Sequence, residues 1–212
     1  MGRLMFRVVV MVSGNGSNLQ ALIDNVHAND KVDAQIVLVV CSKDGAMALE
    51  RAAAAGIPTE VVALADPSER TDRDRRLNEV IGRVEPDLVV MAGWMSIVTG
   101  TFLDAFPDRV INLHPSLLPA FPGMHAIQEA LEWGVRLTGV TVHIAEEAVD
   151  GGPPILQEPV PILAGDTLEA LAERVHGVEH RLLSHCVTLY AQGRITRDPA
   201  QPRRMIIDEG GS

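Results

Sequence analysis

Continuous apolar runs alternate with amphipathic segments over the N-terminal half of the chain. Each run is short and apolar throughout, as in strands buried on both faces, and the intervening segments show helical spacing of apolar positions. This alternation predicts a parallel sheet with helices on both faces. The predicted strands are FRVVVMV (6–12), AQIVLVV (34–40), TEVVAL (59–64), DLVVMAG (87–93) and RVINLH (109–114), and the predicted helices are 17–26, 45–56, 68–84 and 100–105.

The pattern changes after residue 123. Asp166 and Glu169 form a capping-box signature at the start of a long helix. The predicted elements here are a helix over 125–134, strands over 137–145 and 154–162, and a helix over 166–190. We therefore expect a single-domain α/β fold with a Rossmann-like, mostly parallel sheet over 1–193, followed by a polar, Pro-containing and mobile tail over 194–212.

A glycine-rich turn, SGNGSN (13–18), joins the first strand to its helix. Backbone N–H groups at such a helix N-terminus favour an anion. A dinucleotide site would require G-x-G-x-x-G, whereas Leu19 replaces the third glycine, and no P-loop motif is present. The turn favours a phosphomonoester, although a tight turn without a ligand stays an alternative.

Asn112 and His114 lie at the end of a strand that Pro115 terminates. Ligands of open α/β sheets bind beyond the carboxyl ends of the strands, so both side chains are expected in the same cleft as the glycine-rich turn. An amide can donate to an oxyanion and an imidazole can carry a proton, which favours acyl transfer. Asp150, in the loop EEAVDGG, is the leading candidate for a carboxylate that holds the imidazole.

Other interpretations of these polar residues remain. Asn112 and His114 could be a cap and a hydrogen-bonded core histidine. The histidines at 114, 125 and 143 lack metal-site spacing, and the cysteines Cys41 and Cys186 do not cluster, so no metal is expected. His143 lies in an apolar strand and is interpreted as a structural or supporting group.

Composition limits the classes of function. The chain has 212 residues, a mean hydropathy of +0.14 and a net charge of −10. An acidic chain is not expected to bind nucleic acid, and no apolar run approaches the length of a membrane helix. The N-terminus does not fit a signal peptide and the cysteines do not pair, which favours a cytoplasmic location.

Five motifs together resemble the phosphoribosylglycinamide formyltransferases, folate-dependent enzymes of de novo purine biosynthesis. The motifs, over about residues 6–190, are SGNGSN, AGWMSI, NLHPSLLPAFPG, TVHIAEEAVDGGPPILQ and RVHGVEH. HPSLLP alone is shared with other enzymes that use formyltetrahydrofolate. The resemblance implies the formyltransferase fold and transfer of the formyl group of 10-formyltetrahydrofolate, as co-substrate, to the amine of 5'-phosphoribosylglycinamide.

The resemblance also implies roles for particular residues. The implied catalytic residues are Asn112, His114 and Asp150; those at the ribonucleotide are Gly16, Ser17, Asn18, His176 and Glu179; those at the folate are Arg70, Met95, Ser96, Ile97, Val98 and Asn112. Ser96 stands where many relatives have Arg, so a side-chain charge contact with the substrate is missing there. A homodimer is compatible with these expectations.

Three rival functions call for different sequence features. Methionyl-tRNA formyltransferase should carry a further domain and a basic surface, and formyltetrahydrofolate hydrolase should carry a domain in front of this one. A non-catalytic nucleotide-phosphate-binding module would need the glycine-rich turn but not Asn112, His114 and Asp150 together.

Overall fold

Seven strands form the central sheet of the computed structural model, which describes residues 5–208. The strand order is β3-β2-β1-β4-β5-β6-β7. The strands are β1 (Phe6–Val12), β2 (Ala34–Cys41), β3 (Thr59–Val61), β4 (Leu88–Met91), β5 (Val110–His114), β6 (Leu137–Ile144) and β7 (Pro154–Pro161). The first five strands pair in parallel, and β6 and β7 add to the edge in antiparallel pairs. The predicted mostly parallel α/β fold is confirmed.

Helices cover both faces of this sheet. They are α1 (Ser17–Leu22), α2 (Met47–Ala54), α3 (Arg70–Gly82), α4 (Gly100–Leu103), α5 (Ala126–Trp133) and α6 (Leu168–Ala191). Side chains alternate along a strand, so Val8 and Val10 pack on the face of α1, α2, α5 and α6, and Val9 and Met11 on the face of α3 and α4. This two-sided burial explains why the strands are apolar throughout.

The helix starts agree only in part with the predicted ones. The first residue of α1 is Ser17, as predicted, and Gly16 precedes it at φ 76°. The side chain of Thr167 caps α6 by accepting a hydrogen bond from the N–H of Ala170, so the predicted cap at Asp166 is wrong. The Asp166 carboxylate instead accepts hydrogen bonds from Arg174 and the N–H of Leu163, which lower its pKa to about 2.

A short hairpin follows α6. It consists of β8 (Ile195–Arg197) and β9 (Met205–Ile207), which pair in antiparallel fashion. Ile195, Met205 and Ile207 pack against the main core. A few apolar residues thus dock this part of the tail, whose expected mobility stays a prediction. Residues 209–212 lie outside the described residues.

Gly16 is required by its surroundings. A Cβ there would lie 2.7 Å from Cβ and 2.9 Å from Cα of Ala48, and φ is in the left-handed region. The glycine thus lets the turn after β1 approach α2 closely.

Gly16→Ala should lower the free energy of unfolding by roughly 1–3 kcal/mol, because a non-glycine residue is strained in this conformation. Urea denaturation measures the loss. Gly14→Ala is the matched control in the same turn, since a Cβ at Gly14 would meet nothing within 4 Å. Equal stability of the two variants would contradict the steric argument.

Candidate active site

A cleft of about 420 Å³ opens where β1, β4 and β5 end. Because the carboxyl ends of parallel strands meet at one edge of the sheet, the polar residues after separate strands converge there. The predicted site residues that line the cleft are Asn18, Met95, Ser96, Ile97, Val98, Asn112, His114, Asp150, His176 and Glu179. Gly16 and Ser17 lie next to Asn18 in sequence but do not line the cleft, and neither does Arg70, the first residue of α3.

Asp150 lies at the centre of a polar cluster. Its Oδ2 is 3.3 Å from Nδ1 of His114 and accepts a 2.8 Å hydrogen bond from the N–H of Gly123. Its Oδ1 is 3.4 Å from Nδ2 of Asn112 and 3.6 Å from Nε2 of His143. The structure thus brings the three predicted catalytic side chains together within hydrogen-bonding range or close to it.

The environment of Asp150 keeps its carboxyl group ionised. Burial raises its pKa, but the hydrogen bonds from His143 and Gly123 and the charges of His114 and His143 outweigh burial, so the pKa lies below the usual value. The backbone at Asp150 is left-handed, with φ 52°. The loop can fold tightly behind it because Gly152 has no side chain. A Cβ at this position would lie 1.9 Å from the carbonyl oxygen of Ile144.

Both ring nitrogens of His114 face acceptors. Nε2 is 2.8 Å from the carbonyl oxygen of Phe121, which can only accept, so Nε2 carries a hydrogen. Nδ1 faces Asp150, and only a protonated Nδ1 would be attracted to an ionised carboxylate. An imidazolium ring would therefore donate on both sides.

His143 belongs to the same cluster, although its apolar strand indicated a structural or supporting group. Its Nδ1 donates to the carbonyl oxygen of Ile144 at 2.8 Å, and its Nε2 is 3.2 Å from Nδ2 of Asn112. When the ring is neutral, Nε2 accepts from the Asn112 amide; when it is protonated, Nε2 donates toward Asp150. His143 thus contacts two of the three predicted catalytic residues.

The other end of the cleft combines α1 with α6. Oε2 of Glu179 accepts hydrogen bonds from Nδ2 of Asn18 at 3.2 Å and from Nδ1 of His176 at 2.9 Å. The bond to Glu179 raises the pKa of His176 above its usual 6.5, against the opposing effect of partial burial. This end of the cleft can therefore present a cationic ring near the glycine-rich turn.

Residues 93–99, between β4 and α4, form one wall of the cleft. Met95 and Ile97 are 64% and 49% exposed, and together with Val98 they make this wall apolar. The N–H of Met95 donates to Oγ of Ser13, the first residue of the glycine-rich turn, at 2.9 Å. The wall and the turn are thus held against each other.

Several lining residues were not predicted. They include Trp94, Gly123, Met124, Glu146, Glu147 and Val149. All of them lie inside the motifs AGWMSI, NLHPSLLPAFPG and TVHIAEEAVDGGPPILQ or directly after one, so those segments were a usable signal. Ser13 lies inside SGNGSN, but the hydrogen bond between its side chain and Met95 depends on the fold and could not be predicted from the sequence.

Within residues 5–208, no group of three or more His, Cys, Asp or Glu side chains could hold a metal ion. The helices of this same part of the chain include none that is long and apolar enough to cross a membrane. The expected absence of a metal stays a prediction.

Comparison with known proteins places this cleft in a family. A sequence model of the formyl transferase family matches residues 6–187. The phosphoribosylglycinamide formyltransferase of Escherichia coli (strain K12) is 41% identical over 188 residues, 89% of this chain and 88% of that enzyme. The crystal structure of glycinamide ribonucleotide transformylase 1 from Symbiobacterium toebii has a TM-score of 0.91 at 41% identity, covering 97% of this chain and 95% of that one.

The fold, the cleft and the extent of the match define the class of protein: the chain belongs to the formyl transferase family. The relatives from Escherichia coli and Symbiobacterium toebii are of similar length to this chain. Both are named as enzymes that transfer a formyl group to glycinamide ribonucleotide. A longer relative, the trifunctional purine biosynthetic protein adenosine-3 of Drosophila pseudoobscura pseudoobscura, is 44% identical over 192 residues. The chain spans 14% of the length of that protein.

Affinity for ribose 5-phosphate should contain a contribution from His176 that depends on pH. The raised pKa means that the ring is charged below that pKa, so its attraction for the phosphate is present there and is lost as the pH rises through it. Titration calorimetry of wild-type protein and His176→Asn over a pH series measures this contribution as the difference between the two.

His185→Asn, an exposed change on the same helix, is the matched control and should follow the wild type. A constant difference between wild type and His176→Asn at every pH would contradict a charged contact with the phosphate.

Proposed function

We propose that this chain transfers the formyl group of 10-formyltetrahydrofolate to the amine of 5'-phosphoribosylglycinamide, a step of de novo purine biosynthesis. The observation that carries the proposal is the convergence of Asn112, His114 and Asp150 in one cleft whose far end holds Asn18, His176 and Glu179. A site for acyl transfer thus adjoins a site suited to a ribose phosphate. Both substrates are small molecules, and a cytoplasmic location and a homodimer remain expectations.

The nucleophile in this reaction is the substrate amine. Asn112, His114 and Asp150 include no hydroxyl or thiol, and both cysteines are buried, with the pKa of Cys186 raised by burial. The amine nitrogen forms a bond to the formyl carbon, whose carbonyl becomes an oxyanion. The bond from that carbon to the folate nitrogen then breaks, the departing nitrogen gains a proton, and the amine loses one.

Asn112 serves as the donor to the oxyanion. Its amide nitrogen is 3.2 Å from His143 and 3.4 Å from Asp150, and both distances are long for hydrogen bonds. Turning one of these N–H groups toward a developing oxyanion therefore exchanges a weak contact for a charge-assisted one. This is the differential stabilisation of the transition state that catalysis requires.

His114 and Asp150 stabilise charge and transfer protons in the proposed reaction. Ionised Asp150 stabilises the imidazolium form of His114, which adds positive charge beside the oxyanion and can supply the proton that the departing nitrogen needs. Asp150 can act directly or through a water. His143 supports both roles because it contacts Asp150 and Asn112.

The apolar wall suits the pteridine of the co-substrate. Met95, Ile97 and Val98 line the cleft with apolar side chains. Ser96 carries no charge, so an anionic folate tail would depend on other groups, of which Arg70 is the predicted one.

The deciding experiment is a formyl-transfer assay with purified protein, with and without 5'-phosphoribosylglycinamide. Formylated ribonucleotide should form only when both substrates are present. Release of formate from 10-formyltetrahydrofolate at the same rate without the ribonucleotide would indicate a hydrolase. Phosphate binding with no turnover of folate would indicate a non-catalytic module.

Asn112→Ala should fold normally and turn over about 10²–10³-fold more slowly, the usual cost of removing one oxyanion donor. Turnover numbers at saturating substrates measure this effect. Gln128→Ala is the control, since it removes an exposed carboxamide on α5 outside the cleft. Turnover of Asn112→Ala close to that of the control would refute the assignment.

Asp150→Asn should also be slow, by about 10²-fold or more, because the neutral amide no longer stabilises the imidazolium ring. Asparagine tolerates the left-handed backbone at this position, so the change tests charge and not conformation. Asp30→Asn, at an exposed position, is the control. An Asp150→Asn enzyme as fast as that control would be incompatible with the role of Asp150.

A further inference from the structure

The main chain of residues 94–98 is held by side chains and not by backbone pairing. Across residues 5–208, no backbone–backbone hydrogen bond involves residues 94–98. Trp94 and Val98 anchor the two ends of this stretch in the core, but between them Met95 and Ile97 are exposed at the cleft and offer little anchorage. The shape of the wall must therefore be fixed by side chains from other segments.

Arg73 and Asp74 of α3 supply most of these contacts. Nη2 of Arg73 donates to the carbonyl oxygen of Ile97 at 2.5 Å. Oδ2 of Asp74 accepts from the N–H of Thr99 at 2.7 Å and from its hydroxyl at 2.8 Å. Together the two side chains hold the wall at its middle and at its end.

The two side chains also hold each other. Nε of Arg73 donates to Oδ1 of Asp74 at 2.6 Å, and the guanidinium lies over the ring of Trp94, 5.7 Å from its centroid. Arg73 is 2% exposed and Asp74 is fully buried, and neither lines the cleft. They therefore reach any bound ligand only through residues 94–99.

A buried ion pair is a costly way to stabilise a helix. Removing two charges from water costs several kcal/mol per ion, and apolar residues of the same size often serve stability as well or better. What apolar residues could not do is bind a carbonyl oxygen and an N–H of the wall at fixed positions. The planar guanidinium is suited to this, because it binds a carboxylate and a carbonyl at once.

We propose that Arg73 and Asp74 are positioning residues that hold the apolar wall in the shape that binds the folate co-substrate. This inference rests on the proposed function. Asn112, His114 and Asp150 lie on β5 and on the loop after β6, so they do not depend on this pair. Loss of the pair should therefore weaken binding of the folate and leave the chemical step and the ribonucleotide site intact.

Two variants test the pair. Arg73→Met/Asp74→Asn removes both charges at similar volume, so no unpaired charge stays buried. Arg73→Lys keeps the ion pair but loses the fork that reaches Ile97, and it should fold even if the double variant does not. Arg174→Gln is the control, because it breaks an ion pair with Asp166 outside the cleft.

Steady-state kinetics with each substrate varied in turn give the readout. The KM for 10-formyltetrahydrofolate should rise about tenfold in the double variant, which is the change in affinity expected for the loss of one charge-assisted hydrogen bond. The rise should be smaller in Arg73→Lys. The turnover number and the KM for the ribonucleotide should stay at the wild-type values. Arg174→Gln should change none of these constants.

Two results would overturn the proposal: an unchanged KM for folate in a folded variant, or a parallel change of the turnover number and both KM values, which marks a general structural role. If the double variant does not fold, Arg73→Lys decides by the same criteria. Failure of the wild-type protein to transfer formyl groups would instead refute the proposed function, and this inference with it.

Discussion

The contacts of the ionised Asp150 carboxylate are the interactions on which the rest of the site depends. The carboxylate faces the rings of His114 and His143, the amide of Asn112 and the N–H of Gly123, so one charge orders groups from three separate segments. Burial opposes this charge, and the surrounding donors outweigh burial. The arrangement is possible because β6 pairs antiparallel with β5, which places His143 opposite Asn112, and because the loop after β6 carries Asp150 to side chains of both strands.

Much of the fold and part of the site could be predicted from the sequence. The continuous apolar runs gave nearly all the strands because burial on both faces leaves few polar positions, and Asn112 and His114 stood out against that background. His143 was interpreted as a structural or supporting group, and its contacts with Asn112 and Asp150 are in line with a supporting one. The roles of the three catalytic residues remain predictions that geometry supports.

The errors have physical causes. The capping-box pattern pointed to Asp166, but this carboxylate is taken by Arg174, which leaves Thr167 as the cap. The predicted helix 68–84 begins with the highly charged segment SERTDRDRR, and two of its charged residues, Arg73 and Asp74, are buried. Local patterns cannot distinguish a charge that faces water from one whose partners lie some twenty-five residues away, at Ile97 and Thr99.

The hydroxyl of Ser13 joins the two halves of the cleft. Ser13 is the first residue of the glycine-rich turn, and its hydroxyl oxygen accepts hydrogen bonds from the N–H of Met95 and from the hydroxyl of Ser42. A ligand that displaces the turn must also stretch or relax the contact with Met95. By linkage, two ligands bound on either side of this contact would change each other's affinity by one common factor.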